Sequence, residues 1–251
     1  MDSKLNIPPQ NASDWSGRFV VIHGMPRTAS TSFRVLLNEQ KDIICHGEIL
    51  GPNNVLGTSD KQKIKFGVTK RNNQPYKFLE SYFLDHSTKW LGFKGLSEHF
   101  LDRRNLTFLR WVFDTKPKVI ILYRNDLVAR YRSTLLHRLQ AGHLKEEQIL
   151  RLRPLGFVKN CIQTQEQWQM TNDYWMKDLD CVYINIKEIG SGTKAKIENL
   201  LDTTIAGELG RSNSKPSKLA ATEFSEAIAH LDEISRSDTL DKFRDVKFHL
   251  N

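Results

Sequence analysis

The chain has 251 residues and a formal net charge of +8, and its composition is ordinary for a globular protein. Its longest apolar run is shorter than the roughly 18 residues of a membrane helix, and its polar start does not resemble a secretory signal. The sequence therefore predicts no transmembrane segment. The positive charge favours anionic ligands, but no known nucleic-acid-binding motif is present, so we expect no specific nucleic-acid partner.

Five apolar runs predict β-strands, and several are continuous enough for strands buried on both faces. They cover residues 19–22, 42–45, 90–93, 118–123 and 182–186. Helical patterns alternate with them at 32–39, 127–139, 160–177, 195–201 and 219–234. This alternation predicts one α/β domain over residues 1–251, a P-loop-like three-layer fold with a central parallel β-sheet flanked by helices.

Three other stretches break this alternation. Residues 1–17 are interpreted as a loose lead-in, 51–88 as an insertion on the acceptor side, and 210–217 as a basic linker. The three cysteines are isolated and lack metal-ligand spacing, which favours a reduced, cytoplasmic compartment and predicts no bound metal.

The segment RFVVIHGMPRTASTSF, residues 18–33, carries the clearest functional signal. A strand ends at Gly24, a loop rich in hydroxyls follows, and a helix begins, an order that directs backbone N–H groups toward a phosphate or sulfate. Further donors come from the loop side chains, so the candidate binding residues are Arg27, Thr28, Ala29, Ser30, Thr31 and Ser32. The loop lacks the lysine of a nucleotide-triphosphate loop. The plainer alternative is that its hydroxyls only cap the helix.

Ligands of such sheets bind beyond the carboxyl ends of the strands, so residues at those ends are interpreted together. Glu48 follows the second strand and is the candidate general base. His46 is a candidate to share that role, and the alternative is that it faces the other way. Lys94 ends the third strand. It is a candidate to neutralise charge on the transferred group or to orient Glu48. Arg124 ends the fourth strand and, with Ser133 on the next helix, suits a second phosphate.

Each of these residues also has a structural interpretation. Glu48 can be a solvated helix cap, Lys94 can form an ordinary ion pair, and Arg124 can pair with Asp126 while Ser133 lies on a helix surface. The sequence leaves these alternatives open.

Taken together, these motifs resemble the sulfotransferases that use 3′-phosphoadenosine-5′-phosphosulfate, and within them the bacterial nodulation-type carbohydrate sulfotransferases. Residues 24–31, GMPRTAST, are similar to the 5′-phosphosulfate loop of that family, and residues 119–133 to its 3′-phosphate motif. The likeness covers about 18–50 and 90–135. It departs from the family at Ala29, where glycine is usual, and a left-handed conformation there implies strain.

The resemblance implies a metal-independent transfer of a sulfuryl group to a hydroxyl of a carbohydrate, glycolipid or small metabolite. It places the 5′-phosphosulfate on the loop and the 3′-phosphate on Arg124 and Ser133, with Glu48 as base. Arg27 and Lys94 then stabilise charge on the leaving phosphate. The remaining hypotheses are a P-loop kinase and a non-catalytic module that binds nucleotides or polyanions.

Overall fold

The computed structural model describes residues 17–51, 68–74, 77–78, 89–207 and 224–248. The strands are β1 (Phe19–Gly24), β2 (Ile43–His46), β3 (Trp90–Leu96), β4 (Lys118–Tyr123) and β5 (Cys181–Asn185). The described α-helices are α1 (Ser30–Asn38), α2 (Val68–Asn73), α3 (Ser97–Phe100), α4 (Leu106–Asp114), α5 (Leu127–Gln140), α6 (Glu146–Leu150), α7 (Pro154–Thr171), α8 (Ser191–Leu201) and α9 (Ser225–Ser235). The predicted linker, 210–217, lies outside the described residues, as does the predicted lead-in, 1–17, except for residue 17. Of the predicted insertion, 51–88, the structure describes residues 51, 68–74 and 77–78.

The five strands form one sheet in the order β2-β3-β1-β4-β5. Every pair is parallel, with Ile22 of β1 opposite both Lys94 of β3 and Ile120 of β4. All strands therefore end at the same edge of the sheet, and the loops that follow them meet there. The predicted α/β fold with a central parallel sheet is confirmed.

Helices cover both faces of the sheet. On one face, Phe33 and Leu37 of α1 and Ile197 of α8 pack against Val20 and Ile22. The larger core lies on the opposite face, where the strands meet aromatic and aliphatic side chains from α3, α4, α5, α7 and α9. Because both faces are buried, the strands appear in the sequence as short apolar runs without polar alternation.

Several boundaries differ from the sequence prediction. β3 continues to Leu96, because Gly92 and Gly95 interrupt the apolar pattern but not the strand. An added Cβ at Gly92 would lie 2.7 Å from the carbonyl oxygen of Val20, so glycine lets β3 approach β1 closely. Helix α7 begins at Pro154, a residue suited to the first turn of a helix, and it continues into a π-helical turn, Asn172–Met176. Among the described helices, none is long and apolar enough to cross a bilayer.

His23 is the unusual polar residue of this core. It is fully buried on β1, its ring centroid is 4.8 Å from that of Phe100, and neither ring nitrogen has a hydrogen-bond partner among the described residues. Burial lowers the pKa of His23 from 6.5 to about 3. The folded protein therefore holds a neutral imidazole at acidic pH, where the unfolded chain binds a proton.

This difference predicts that His23 destabilises the fold as the pH falls from 6.5 toward 3. The substitution His23→Leu should remove this pH dependence. The free energy of unfolding of the variant, relative to the unmodified protein, should therefore rise by up to roughly 1.4 kcal/mol for each pH unit below 6. Urea denaturation between pH 7.5 and 4.5 measures the effect, with the exposed His143→Leu as the control for loss of a histidine. Parallel pH profiles for His23→Leu and the unmodified protein would contradict this assignment.

Candidate active site

We call residues 25–32, the loop between β1 and α1 together with the start of that helix, the anion loop. Its turn is held by its own residues. The Thr28 hydroxyl donates to the carbonyl oxygen of Met25 at 2.6 Å, so this side chain closes the turn. An added Cβ at Gly24 would lie 2.7 Å from that hydroxyl, which explains the glycine. Arg27 and Ala29 have φ angles of 66° and 57°. Both are in the left-handed region, and the strain expected for alanine at position 29 is present.

Helix α1 begins directly after this turn, and its first N–H groups have no carbonyl partner within the helix. The Ala29 carbonyl accepts the N–H groups of Ser32 and Phe33 at 2.9 and 3.2 Å, so the helix winds from Ala29 onward. Ser30 is buried, Ser32 is partly exposed and Thr31 is exposed. The helix N-terminus carries partial positive charge beside these hydroxyls, an arrangement that suits an anion.

Glu48 and Lys94 form the central ion pair of the site. The Lys94 ammonium lies 2.8 Å from Oε1 of Glu48, and it also donates to the Thr31 hydroxyl at 3.1 Å. A backbone bond from the Lys94 N–H to the Gly47 carbonyl, 3.2 Å long, extends the β2–β3 pairing and places Glu48 beside the lysine. The Lys94 side chain is 8% exposed and that of Glu48 is 27% exposed, so solvent reaches the carboxylate. The candidate base and the anion loop thus share one cation.

A second contact joins the loop to helix α5, which follows the fourth strand. Nε of Arg27 donates to the Ser133 hydroxyl at 3.3 Å, which connects two motifs separated by 106 residues. Arg124 follows β4, and its buried Nε has no hydrogen-bond partner among the described residues. Burial lowers the pKa of Arg124, the charge of Asp126 opposes this shift, and the nearby charge of Arg27 adds to it. Burial lowers the pKa of Arg27 as well. The arginines remain charged at neutral pH and lie close together.

His46 lies at the end of β2 and is buried. It is paired in register with Phe93, and side chains alternate between the faces of a strand, so His46 lies on the face opposite Lys94. This placement separates its ring from the side of the sheet on which Lys94 meets Glu48.

Two buried side chains hold the segment that follows Glu48. Nη1 of Arg71 donates to the carbonyl oxygens of Ile49 and Gly51 at 2.6 and 2.9 Å. Nδ2 of Asn105 donates to the carbonyl of Leu50 at 3.1 Å and to that of His99 at 2.8 Å. Three consecutive carbonyl groups are thereby satisfied by protein donors. The segment that follows Glu48 is therefore held by side chains from outside that loop.

A further set of charged residues lies next to Glu48. Burial raises the pKa of Glu98, the charge of Glu48 raises it further, and Arg130 opposes the shift. His99 is buried, accepts the Leu96 N–H on Nδ1 at 3.3 Å, and has its pKa lowered chiefly by burial. Its ring is therefore neutral at pH 7, with the proton assigned to Nε2.

Arg130 is buried on α5, and burial lowers its pKa to about 10. Its Nη2 donates to Asn160 and, at 2.7 Å, to Thr164, and both acceptors lie on α7. Its Nε has no hydrogen-bond partner among the described residues. The charge of Glu98 raises the pKa of Arg130 and that of Arg124 lowers it. Arg130 thus interacts electrostatically with both Glu98 and Arg124.

Five residues near the site were not predicted from the sequence: Arg71, Glu98, His99, Asn105 and Arg130. Ending β3 at residue 93 hid Glu98 and His99, which follow the true end of the strand at Leu96. Arg130 has a usable signal, because it lies one turn before Ser133 on the same helix. Arg71 and Asn105 act on backbone carbonyls through tertiary contacts, and no local pattern identifies such partners.

No family model matches the sequence, and no curated protein matches it. The chain is similar to the crystal structure of a sulfotransferase from Alicyclobacillus acidocaldarius. The two share 15% sequence identity with a TM-score of 0.49, over 88% of this chain and 96% of that one. This level of similarity does not establish the activity of the chain.

The left-handed conformation of Ala29 predicts that the loop is strained. We expect Ala29→Gly to raise the free energy of unfolding by about 0.5–1 kcal/mol, because glycine adopts this conformation without the Cβ clash. The greater flexibility of glycine in the unfolded chain offsets part of the gain. The matched control is Ala195→Gly at an exposed position within α8, which should lower stability by about 1 kcal/mol. Urea denaturation measures both changes, and a loss of stability in Ala29→Gly would rule out strain at this position.

Proposed function

We propose that this chain is a sulfotransferase that transfers a sulfuryl group from 3′-phosphoadenosine-5′-phosphosulfate to an acceptor hydroxyl. The observation that carries the proposal is the pair of contacts that reach the anion loop, one from β3 and one from α5. Lys94 joins Thr31 to Glu48, and Arg27 joins the loop to Ser133. These contacts support placing a base, an anion-binding turn and a second anion site together at one edge of the sheet.

The residues present fit a donor with two separated anionic groups. The loop and the N-terminus of α1 suit the 5′-phosphosulfate. Arg124 has a buried Nε without a partner among the described residues, close to Arg27, and a 3′-phosphate would supply the missing acceptor. Charge-assisted bonds from arginine to phosphate are among the stronger polar contacts in proteins. The candidate donor-binding residues are Arg27, Thr28, Ala29, Ser30, Thr31, Ser32, Arg124 and Ser133, with Thr28 and Ala29 acting through the shape and N–H groups of the turn.

In the proposed reaction, Glu48 takes the proton of the acceptor hydroxyl as its oxygen bonds to sulfur, and the bond from sulfur to the leaving phosphate oxygen breaks. The donor supplies the sulfuryl group. Protonation of Glu48 neutralises the partner of Lys94, which lies 2.8 Å away. The ammonium charge of Lys94 then acts on the negative charge that develops near Thr31 and the loop, together with Arg27. The side chain of His46 lies on the face of the sheet opposite Lys94. We therefore assign the base role to Glu48 alone.

The acceptor class in this proposal is the hydroxyl of a carbohydrate, a glycolipid or a small metabolite, as in the nodulation-type carbohydrate sulfotransferases that the motifs resemble. The proposal needs no nucleic-acid partner and no metal. The cysteines Cys45, Cys161 and Cys181 are free thiols, which supports placing the enzyme in a reducing, cytoplasmic compartment.

Glu48→Gln tests the proposed chemistry, because glutamine keeps the size of the side chain and an oxygen for Lys94 but is not a base. Release of adenosine 3′,5′-bisphosphate from the donor is measured without metal across a panel of sugar and glycolipid acceptors. We expect turnover to fall by about 10²–10⁴-fold, with bisphosphate affinity unchanged.

The exposed Glu147→Gln on α6 is the control for loss of one carboxylate, and it should keep full turnover. Full turnover in Glu48→Gln would remove Glu48 from the base role. A requirement for Mg²⁺ with ATP as the donor would favour the kinase, and selective binding without turnover on any acceptor would favour a non-catalytic module.

A further inference from the structure

Helix α7 presents an unusual exposed face. Its inner face is used within the fold, where Phe157 and Trp168 are buried in the core and Asn160 and Thr164 accept hydrogen bonds from Arg130. Along the 18 residues of the helix, the exposed positions are Leu155, Lys159, Ile162, Gln163, Glu166 and Met170. At 100° per residue these six positions fall within an arc of about 100°, so they form one continuous stripe about 22 Å long. We call them the α7 stripe.

The α7 stripe is rich in apolar surface for an exposed helix. Leu155 is 61% exposed, Met170 59% and Ile162 40%. Most large apolar side chains of the described residues are buried, so three exposed ones aligned on a single helix are a feature of this surface. Aligned apolar residues on an exposed helix face mark a contact surface more often than scattered ones do.

The order of residues in the α7 stripe identifies its partner. A two-fold axis between Ile162 and Gln163 would bring a second, antiparallel copy of the helix into register with the first. Leu155 would then face Met170 of the other copy, and Lys159 would face Glu166. Every apolar end therefore meets an apolar end, and each cation meets an anion. A surface that complements itself in this way fits an isologous contact between identical chains.

We infer that two copies of this chain associate through the α7 stripe as an antiparallel, two-fold symmetric dimer. The apolar ends supply buried surface, and the two symmetric Lys159–Glu166 pairs select the antiparallel register and oppose a shifted one. A contact between two single helices is smaller than a standard protein interface, so the dimer is reversible and its population depends on concentration. This inference is independent of the proposed function.

Charge reversal tests the register directly, because each substitution alters two symmetry-related pairs. We expect Lys159→Glu to raise the dimer dissociation constant about tenfold, and Glu166→Lys to do the same. The double variant Lys159→Glu/Glu166→Lys restores opposite charges and should return to within about twofold of the unmodified chain. Sedimentation equilibrium over a wide range of chain concentrations measures all four proteins, with circular dichroism as the check on folding.

Lys196→Glu, at an exposed position of α8, makes the same charge change away from the stripe and should leave the dissociation constant unaltered. A chain that remains monomeric at every concentration would overturn the inference. So would dimers of unchanged affinity in both single variants, because association would then use another surface. A folded double variant that is no tighter than the single variants would reject the Lys159–Glu166 register.

Discussion

The site depends on one ion pair, between Lys94 and Glu48. The lysine is fixed because β3 is bonded on both sides within a parallel sheet, and the bond to the Gly47 carbonyl carries that order one residue beyond β2. Glu48 is then held by its ion pair with the lysine and by the following segment, which Arg71 and Asn105 anchor. A carboxylate restrained in this way needs little reorganisation before it acts as the base that we propose. The bond from Lys94 to Thr31 extends the same restraint to the anion loop.

The second constraint is the cost of keeping several cations near one another with little water. Burial lowers the pKa of Arg27, Arg124 and Arg130, and the charges of neighbouring arginines lower two of these values further. An isolated buried cation is unfavourable unless it finds an anion or a full set of hydrogen bonds. An anionic ligand at this edge of the sheet would offset that cost and would also give the buried Nε of Arg124 an acceptor. The left-handed backbone of Ala29 is a second unfavourable feature of the anion loop.

The sequence predicted the sheet well because strands buried on both faces leave continuous apolar runs, and the parallel order then brought Glu48, Lys94 and the anion loop to one edge. The sequence was less informative where glycine interrupts a strand, as in β3, whose true end places Glu98 and His99 at the site. Contacts across the fold were beyond local patterns. Arg27 and Ser133 were predicted for two separate phosphates, and their hydrogen bond shows how near the two motifs lie.

Calorimetric titration with adenosine 3′,5′-bisphosphate is the sharpest test of a 3′-phosphorylated donor, with AMP without metal and Mg·ATP as the comparison ligands. We expect the bisphosphate to bind at least tenfold more tightly than AMP, since one charged contact to the 3′-phosphate is worth about 1.5–3 kcal/mol. We also expect Arg124→Ala to remove most of that preference. Equal affinity for the bisphosphate and AMP, or a preference for Mg·ATP, would contradict the assignment of this site to a 3′-phosphorylated donor.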